Sequence, residues 1–201
     1  MTRIIAGRAG GRRLATAAGR TTRPTSDRTR EGLFSTVTAI RGSLAGATVL
    51  DLYAGSGAVG LEALSRGAED VLLVESDNRA ARVIRENIAA VGLPGARLLT
   101  GRVERLLDSG PEPTAAQRDF VFADPPYALT DAELARLLRA LSSRGWLAPG
   151  ALVVLERATR SGAPTWPAGY ESDRSRRYGE ATLWYGLAAG HQPAKTPPTG
   201  E

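Results

Sequence analysis

An open α/β sheet, mostly parallel and covered by helices on both faces, is the fold this sequence predicts. Three observations point to it. From Ala47 onward, short apolar runs alternate with longer stretches whose apolar residues recur at helical spacing, the pattern of successive βαβ units. The first run, Thr48–Leu52, leads into a glycine-rich turn, Gly55-Ser56-Gly57-Ala58-Val59-Gly60. Two later runs meet an acid, Glu75 and Asp124, so that three polar features fall just past strand ends, where ligands bind on such sheets.

The elements follow in order. Arg3–Gly7 and Gly11–Leu14 read as two short strands around a glycine-rich turn. After a polar stretch, Ser26 or Asp27 caps a helix carrying Leu33, Phe34, Val37 and Ile40 on one face. Strand Thr48–Leu52 and the glycine turn precede a helix that runs to about Arg66. Strand Val71–Glu75 precedes helix Asn78–Val91, which Gly92 and Pro94 close. Strand Arg97–Thr100 comes before a short helix near Val103–Leu107. Strand Phe120–Ala123 leads through Asp124-Pro125-Pro126-Tyr127 to a helix over Asp131–Arg144. Strand Ala151–Glu156, a loop with Pro164 and Pro167, and an antiparallel pair, Tyr170–Tyr178 with Ala181–Leu187, complete the sheet. The expected organisation is a basic hairpin arm over 1–20, the α/β unit over 21–188, and a proline-containing disordered tail over 189–201.

Composition narrows the chemistry. A chain of 201 residues with 42% apolar content fits one domain with a full core, and no run approaches the length of a membrane span. With no Cys, disulfides, thiolate zinc sites and cysteine nucleophiles are excluded. The single His, His191, falls in the tail, so neither a His-based catalytic triad nor a metal site is expected. The net charge of +5 is uneven. Residues 1–41 hold nine Arg against Asp27 and Glu31, a balance of +7, while the other 160 residues hold 17 basic and 19 acidic groups, a balance of −2. An organellar transit peptide is also Arg-rich, but it is an amphipathic helix rather than a hairpin. An Arg-rich segment of this kind suits sequence-independent phosphate contacts. Arg3, Arg8, Arg12, Arg13, Arg23, Arg28 and Arg30 are its candidates, the last three alternatively as supports of a neighbouring pocket. On this reading, deleting residues 1–20 weakens RNA binding and spares cofactor binding.

Gly55, Gly57 and Gly60 match a pattern in which missing Cβ atoms let the backbone approach a ligand. Glu75 ends the next strand, placed to accept ribose hydroxyls. A nicotinamide dinucleotide and S-adenosylmethionine both fit this much. Asp51 separates them: a carboxylate there repels a pyrophosphate but favours the ammonium and sulfonium of a methionine moiety. Asp51 can also organise the loop by accepting backbone N–H bonds, and the two roles are compatible. Around the turn, Tyr53, Ala54, Gly55, Ser56, Gly57 and Ser76 complete the cofactor candidates, Tyr53 equally well as a packing residue.

The turn Asp124-Pro125-Pro126-Tyr127 cannot continue a ladder, because neither proline has an N–H to donate. It fixes a carboxylate on one side and an aromatic ring on the other, suited to a flat, amine-bearing ring. An ordinary strand-to-helix loop is the bland reading of the same four residues.

Taken together, Asp51-Leu52-Tyr53-Ala54-Gly55-Ser56-Gly57 and Asp124-Pro125-Pro126-Tyr127 resemble the class I amino-methyltransferases, which methylate exocyclic nitrogens. Arg3-Ile4-Ile5-Ala6-Gly7, Gly11-Arg12-Arg13-Leu14, Arg23-Pro24-Thr25-Ser26-Asp27-Arg28-Thr29-Arg30-Glu31, Leu33-Phe34, the stretch Gly60-Leu61-Glu62-Ala63-Leu64-Ser65-Arg66-Gly67-Ala68, and Tyr178-Gly179-Glu180 narrow this to a resemblance to the RsmD family, bacterial 16S rRNA guanine-N2 methyltransferases. The resemblance implies a seven-stranded Rossmann-like sheet, S-adenosylmethionine as cofactor, and a guanine of the small ribosomal subunit as target, in a cytoplasmic and monomeric protein without metal or membrane attachment. The sequence departs from that pattern after the third strand. Relatives often place an acid there for the adenine amino group, whereas Gly101-Arg102-Val103 offers none. Backbone groups and apolar contacts around Arg102 and Val103 are expected to hold the adenine instead.

The guanine amine is a poor nucleophile because its lone pair is delocalised into the ring. Bonds from its N–H groups to Asp124 and the Pro125 carbonyl favour a pyramidal nitrogen, Pro126 stiffens the turn, and Tyr127 stacks on a base that has left its helix. Adenine N6, a glutamine side chain, or a non-catalytic RNA-binding assembly role are the alternatives that the residues leave open.

Overall fold

The computed structural model describes residues 2–16 and 26–190. Strands β1 (Thr2–Arg3) and β2 (Arg13–Leu14) pair with each other, and helix α1 (Asp27–Arg41) follows. The main unit then runs β3 (Thr48–Leu52), α2 (Ala58–Ser65), β4 (Asp70–Glu75), α3 (Asn78–Val91), β5 (Ala96–Thr100), α4 (Val103–Ser109), β6 (Arg118–Ala123), α5 (Asp131–Ser143) and β7 (Leu147–Ala158). A short 3-10 turn (Thr159–Ser161) and the hairpin β8 (Tyr170–Tyr178) and β9 (Ala181–Ala188) end it. The seven-stranded sheet has the order β5-β4-β3-β6-β7-β9-β8, parallel except where β9 lies between β7 and β8.

Alternation along buried strands feeds two cores. Val49, Val71, Leu73, Phe120, Phe122, Leu152, Val154, Leu183 and Tyr185 share a cluster with Phe34 of α1, Leu61 of α2 and Ile84 of α3. Their neighbours Leu50, Leu52, Val74, Val121, Ala123, Val153 and Leu155 pack on α4 and α5 on the other side. A parallel sheet covered on both faces explains why these strands read as continuous apolar runs. Local chemistry sets the helix ends. Asp77 accepts from the Arg79 and Ala80 amides at the start of α3, and Gly92 closes it at φ 67°. Thr130 and Glu133 form a capping box on α5.

Several boundaries shift by a residue or two from the sequence-based expectations, and three departures have a physical reason. The N-terminal hairpin pairs over two residues per strand rather than five and four, because the Ile5 and Ala6 amides donate to Glu62 (2.7 and 3.0 Å) instead of to a partner strand. Strand β6 begins at Arg118, ahead of the apolar run; this buried cation is paired with Asp70 at 2.7 Å, a signal that apolar periodicity misses. Strand β7 begins at Leu147, and a register shift between Arg118 and Phe120 absorbs the intervening Pro149 and Gly150.

Residues 2–16 are not a free arm. Ile4 and Leu14 are buried in the same cluster as Phe34 and Leu61. The Ala9 amide donates to Ser65 Oγ, and Asn87 Oδ1 accepts from the Ala15 amide. Deleting this segment would expose apolar core and strip partners from buried Glu62, so its removal acts on the stability of the fold as well as on any RNA contact.

Candidate active site

Strand order places the site. The chain steps outward from β3 to β4 to β5, then returns to lay β6 on the other side of β3. The reversal leaves a crevice beyond the carboxyl ends of β3 and β6, the usual ligand position on such sheets. The glycine turn follows β3 and the Asp124–Tyr127 turn follows β6. A hydrogen bond from the Asp124 amide to the Leu52 carbonyl, 3.4 Å, ties the start of the second turn to the end of β3, just ahead of the first.

Buried carboxylates shape the glycine turn. Glu75, at the end of β4, accepts from the Gly55 amide and the Asp77 amide, both at 2.8 Å. Asp51, 1% exposed, accepts from the Gly60 amide at 2.8 Å. Burial pushes the Asp51 carboxyl up to about 8, the Gly60 amide opposing and Glu75 adding to the shift. Gly57 precedes α2 at φ 76°, and a Cβ there would press Leu73 Cδ2 at 3.0 Å. At Gly60 a Cβ would lie 2.9 Å from Leu73 and Val71 and 3.1 Å from Asp51 Oδ2. Asn87 braces the turn from α3 by donating to the Ser56 carbonyl at 2.8 Å. Tyr53 has φ 59°, the left-handed value alone among non-glycine described residues, and its hydroxyl donates to Glu104 at 2.8 Å. Burial and the Glu104 carboxylate both raise the Tyr53 hydroxyl.

This geometry restates the choice between cofactors. A dinucleotide pyrophosphate needs free N–H groups at the turn and the helix start. Here Gly55 N–H belongs to Glu75, and Gly60 N–H, in the first turn of α2, belongs to Asp51. Two of the turn's donors are thus already taken by carboxylates, and burial holds the Asp51 carboxyl well above its ordinary value.

The remaining sequence candidates separate by exposure. Asp124 and Pro125 are half-buried, Pro126 is exposed, and Tyr127 is 67% exposed, standing out among the described residues as a large apolar ring in solvent. Ser76 is exposed between Glu75 and the cap Asp77. Arg102 is exposed ahead of α4, while Val103 is buried in the core on that side, so Val103 offers a ligand its backbone rather than its side chain.

The arginines divide. Arg3, Arg8, Arg12, Arg13 and Arg28 are exposed. Arg30 is not a surface cation: fully buried, it donates to Thr2 Oγ1, the Arg3 carbonyl and Asp27, and lies 3.8 Å from Glu62. It supports the fold behind α2 and cannot meet RNA. Arg23 and His191 lie outside the described residues. Sequence reasoning missed Glu62, Asn87 and Glu104. Glu62 stood inside a quoted motif, but nothing in one sequence marks an acid as the receptor for backbone amides 56 and 57 residues away.

The sheet order, the crevice and the two turns make this a class I methyltransferase fold. A family model described as "Conserved hypothetical protein 95" matches residues 2–186. The chain is 35% identical over 178 residues to "Ribosomal RNA small subunit methyltransferase D" of Escherichia coli (strain K12), a match covering 89% of this chain and 85% of that protein. It is 32% identical to "Putative rRNA methyltransferase YlbH" of Bacillus subtilis (strain 168), over 88% of this chain and 94% of the relative. Among solved structures, the putative methyltransferase yhhF from Escherichia coli aligns with a TM-score of 0.79 at 31% identity, covering 94% and 98% of the two chains. The chain belongs to this family, the RsmD family.

Proposed function

We propose that this chain transfers a methyl group from S-adenosylmethionine to the exocyclic N2 of a guanine in 16S rRNA of the small ribosomal subunit. The observation that carries the reading is the placement of the Asp124–Tyr127 turn beside the glycine turn, with the Asp124 amide bonded to the end of β3 and two glycine-turn amides held by Glu75 and Asp51. The names of its relatives support the RNA target.

S-adenosylmethionine, when bound, supplies a methyl group on a sulfonium. The chain holds it with the backbone of Tyr53, Ala54, Gly55, Ser56 and Gly57. Glu75, at the end of β4, is assigned to the ribose hydroxyls. Ser76 and the backbone of Arg102 and Val103 border the adenine. Asp124 and the Pro125 carbonyl accept the N–H groups of the guanine amine and draw its nitrogen toward pyramidal geometry, while Pro126 keeps the turn rigid. Orientation of this kind contributes about 7–11 kcal/mol to such transfers. Tyr127 stacks on the base, worth roughly 1–3 kcal/mol. No strong base is needed, because the proton leaves after the methyl arrives. Arg3, Arg8, Arg12, Arg13 and Arg28 meet phosphates. Every residue invoked comes from one chain, so a monomer suffices.

The test incubates the protein with methyl-labelled S-adenosylmethionine and, separately, unmodified small subunits, naked 16S rRNA and DNA. The expected result is label in rRNA, recovered as N2-methylguanine. Label only in DNA or protein, or recovered as N6-methyladenine, refutes the reading; tight RNA binding without transfer assigns the chain to assembly instead.

A further inference from the structure

The basic residues of the N-terminal region drew the sequence reading, yet a second cationic surface lies at the opposite end of the chain. Strand β8 is the outer strand of the sheet, and Glu171 to Arg177 are all exposed. Its charge is segregated. Both acids, Glu171 and Asp173, occupy the half toward the N-terminal ends of β6 and β7, and Arg174, Arg176 and Arg177 occupy the half toward their C-terminal ends, where the two turns lie.

Strand register fixes the level of these cations. Ala123, Leu155, Trp184 and Ser175 form one row across β6, β7, β9 and β8. Arg176 therefore stands in the next row, with Glu156 and Leu183, level with Asp124; Arg177 follows, in the row of Arg157 and Thr182. Three strand spacings, about 14 Å, separate this edge from the catalytic turn, the reach of a few nucleotides. Consecutive side chains face opposite sides of a strand, so Arg176 and Arg177 straddle the edge. Arg160 joins them: the neighbouring Thr159 amide donates to the Glu180 carbonyl at 2.7 Å, and Thr159 Oγ1 donates to the Gly179 carbonyl.

Apart from Arg174, these cations are not consumed in ion pairs among the described residues. Arg174 is bonded to Asp173, and Arg177 donates only to the Gly179 carbonyl at 3.1 Å. Among the described residues, Arg160 and Arg176 form no ion pair. Glu180 is the acid at the hairpin tip beside them. Charged edge strands also block strand addition, but that purpose is met by either sign along the whole length and does not call for segregation.

We propose that the upper half of β8, with Arg160, is a phosphodiester-binding edge that holds the RNA backbone flanking the target base. The proposal rests on the RNA-methylating reading above. The test is the triple variant Arg160→Ala/Arg176→Ala/Arg177→Ala in the full chain, assayed on naked 16S rRNA and on small subunits. RNA affinity is expected to fall roughly tenfold or more, and the slope of log affinity against log salt to shallow by about two, at some 0.7 per lost phosphate contact on single strands. KM for RNA rises, while kcat, cofactor affinity and thermal midpoint stay as in the wild type. Glu171→Gln, at the acidic end, leaves all of these in place. Unchanged affinity and slope overturn the proposal, as does aggregation without loss of RNA binding. Loss of binding to subunits alone, with naked rRNA bound normally, also overturns it and assigns the edge to a protein partner. The wild type is assayed first: absence of RNA methylation there defeats the functional reading, whereas an active wild type with an unaffected variant defeats only this edge.

Discussion

The two turns that meet at the crevice are built by opposite rules. The glycine turn is held from beneath by buried groups: Glu75 on the Gly55 and Asp77 amides, Asp51 on Gly60, and Asn87 on the Ser56 carbonyl. Its shape is set before any ligand arrives. The turn Asp124–Tyr127 is stiffened instead by two fixed proline φ angles and one backbone bond from the Leu129 amide to Pro126, and it lifts Tyr127 into solvent. A small, invariant cofactor suits the first construction. A large polymer that must deliver one base suits the second, because an open ring can receive a base that has left its stack.

That contrast can be broken from either side. The largest effect is expected from Glu75→Ala, which leaves two amides without their acceptor. At about 1–3 kcal/mol for each unpaired buried group, unfolding free energy falls by roughly 2–6 kcal/mol, read by urea denaturation. Cofactor affinity, read by calorimetry on the folded variant, falls with it, and Glu75→Gln, which keeps an acceptor oxygen, recovers part of both. Tyr127→Ala acts on the open side. RNA affinity drops by about 1–3 kcal/mol in a filter-binding assay while stability and cofactor affinity stay level, since an exposed ring contributes little to folding.

A third effect sharpens the contrast through pH. Burial raises the Asp51 carboxyl from 3.8 to about 8. Above about pH 4 the unfolded chain releases this proton, while the folded chain keeps it until about pH 8. Asp51 therefore makes stability fall as pH rises through that window and level off above it. Asp51→Asn still offers an oxygen to the Gly60 amide but cannot titrate, so its urea midpoints between pH 5 and pH 8 should lose this decline.

Much of this was legible in the sequence. Helix α3 spans the expected Asn78–Val91 because its cap Asp77, its periodic apolar face and its closing Gly92 all act locally. The seven-stranded, mostly parallel sheet with its antiparallel pair and the family resemblance hold as well. What escaped was long-range. Arg30 stood open between an RNA contact and an internal support because one charged letter carries no sign of burial, and only the fold brings Thr2, Asp27 and Glu62 around it. The hairpin looked like an arm because Glu62, the acceptor that docks it, lies far along the chain. The segregated charge of β8 stayed invisible until strand register gave Arg176 a position relative to Asp124.

The division of labour between the turns is tested most directly by Asp124→Ala, measured for single-turnover methyl transfer to 16S rRNA alongside cofactor affinity. A rate at least about 100-fold lower, with cofactor affinity and thermal midpoint unchanged, is the expected outcome, since misplacing the reacting nitrogen alone costs that much. A retained rate, or a cofactor affinity that falls in step with the rate, would contradict the assignment of Asp124 to the substrate amine.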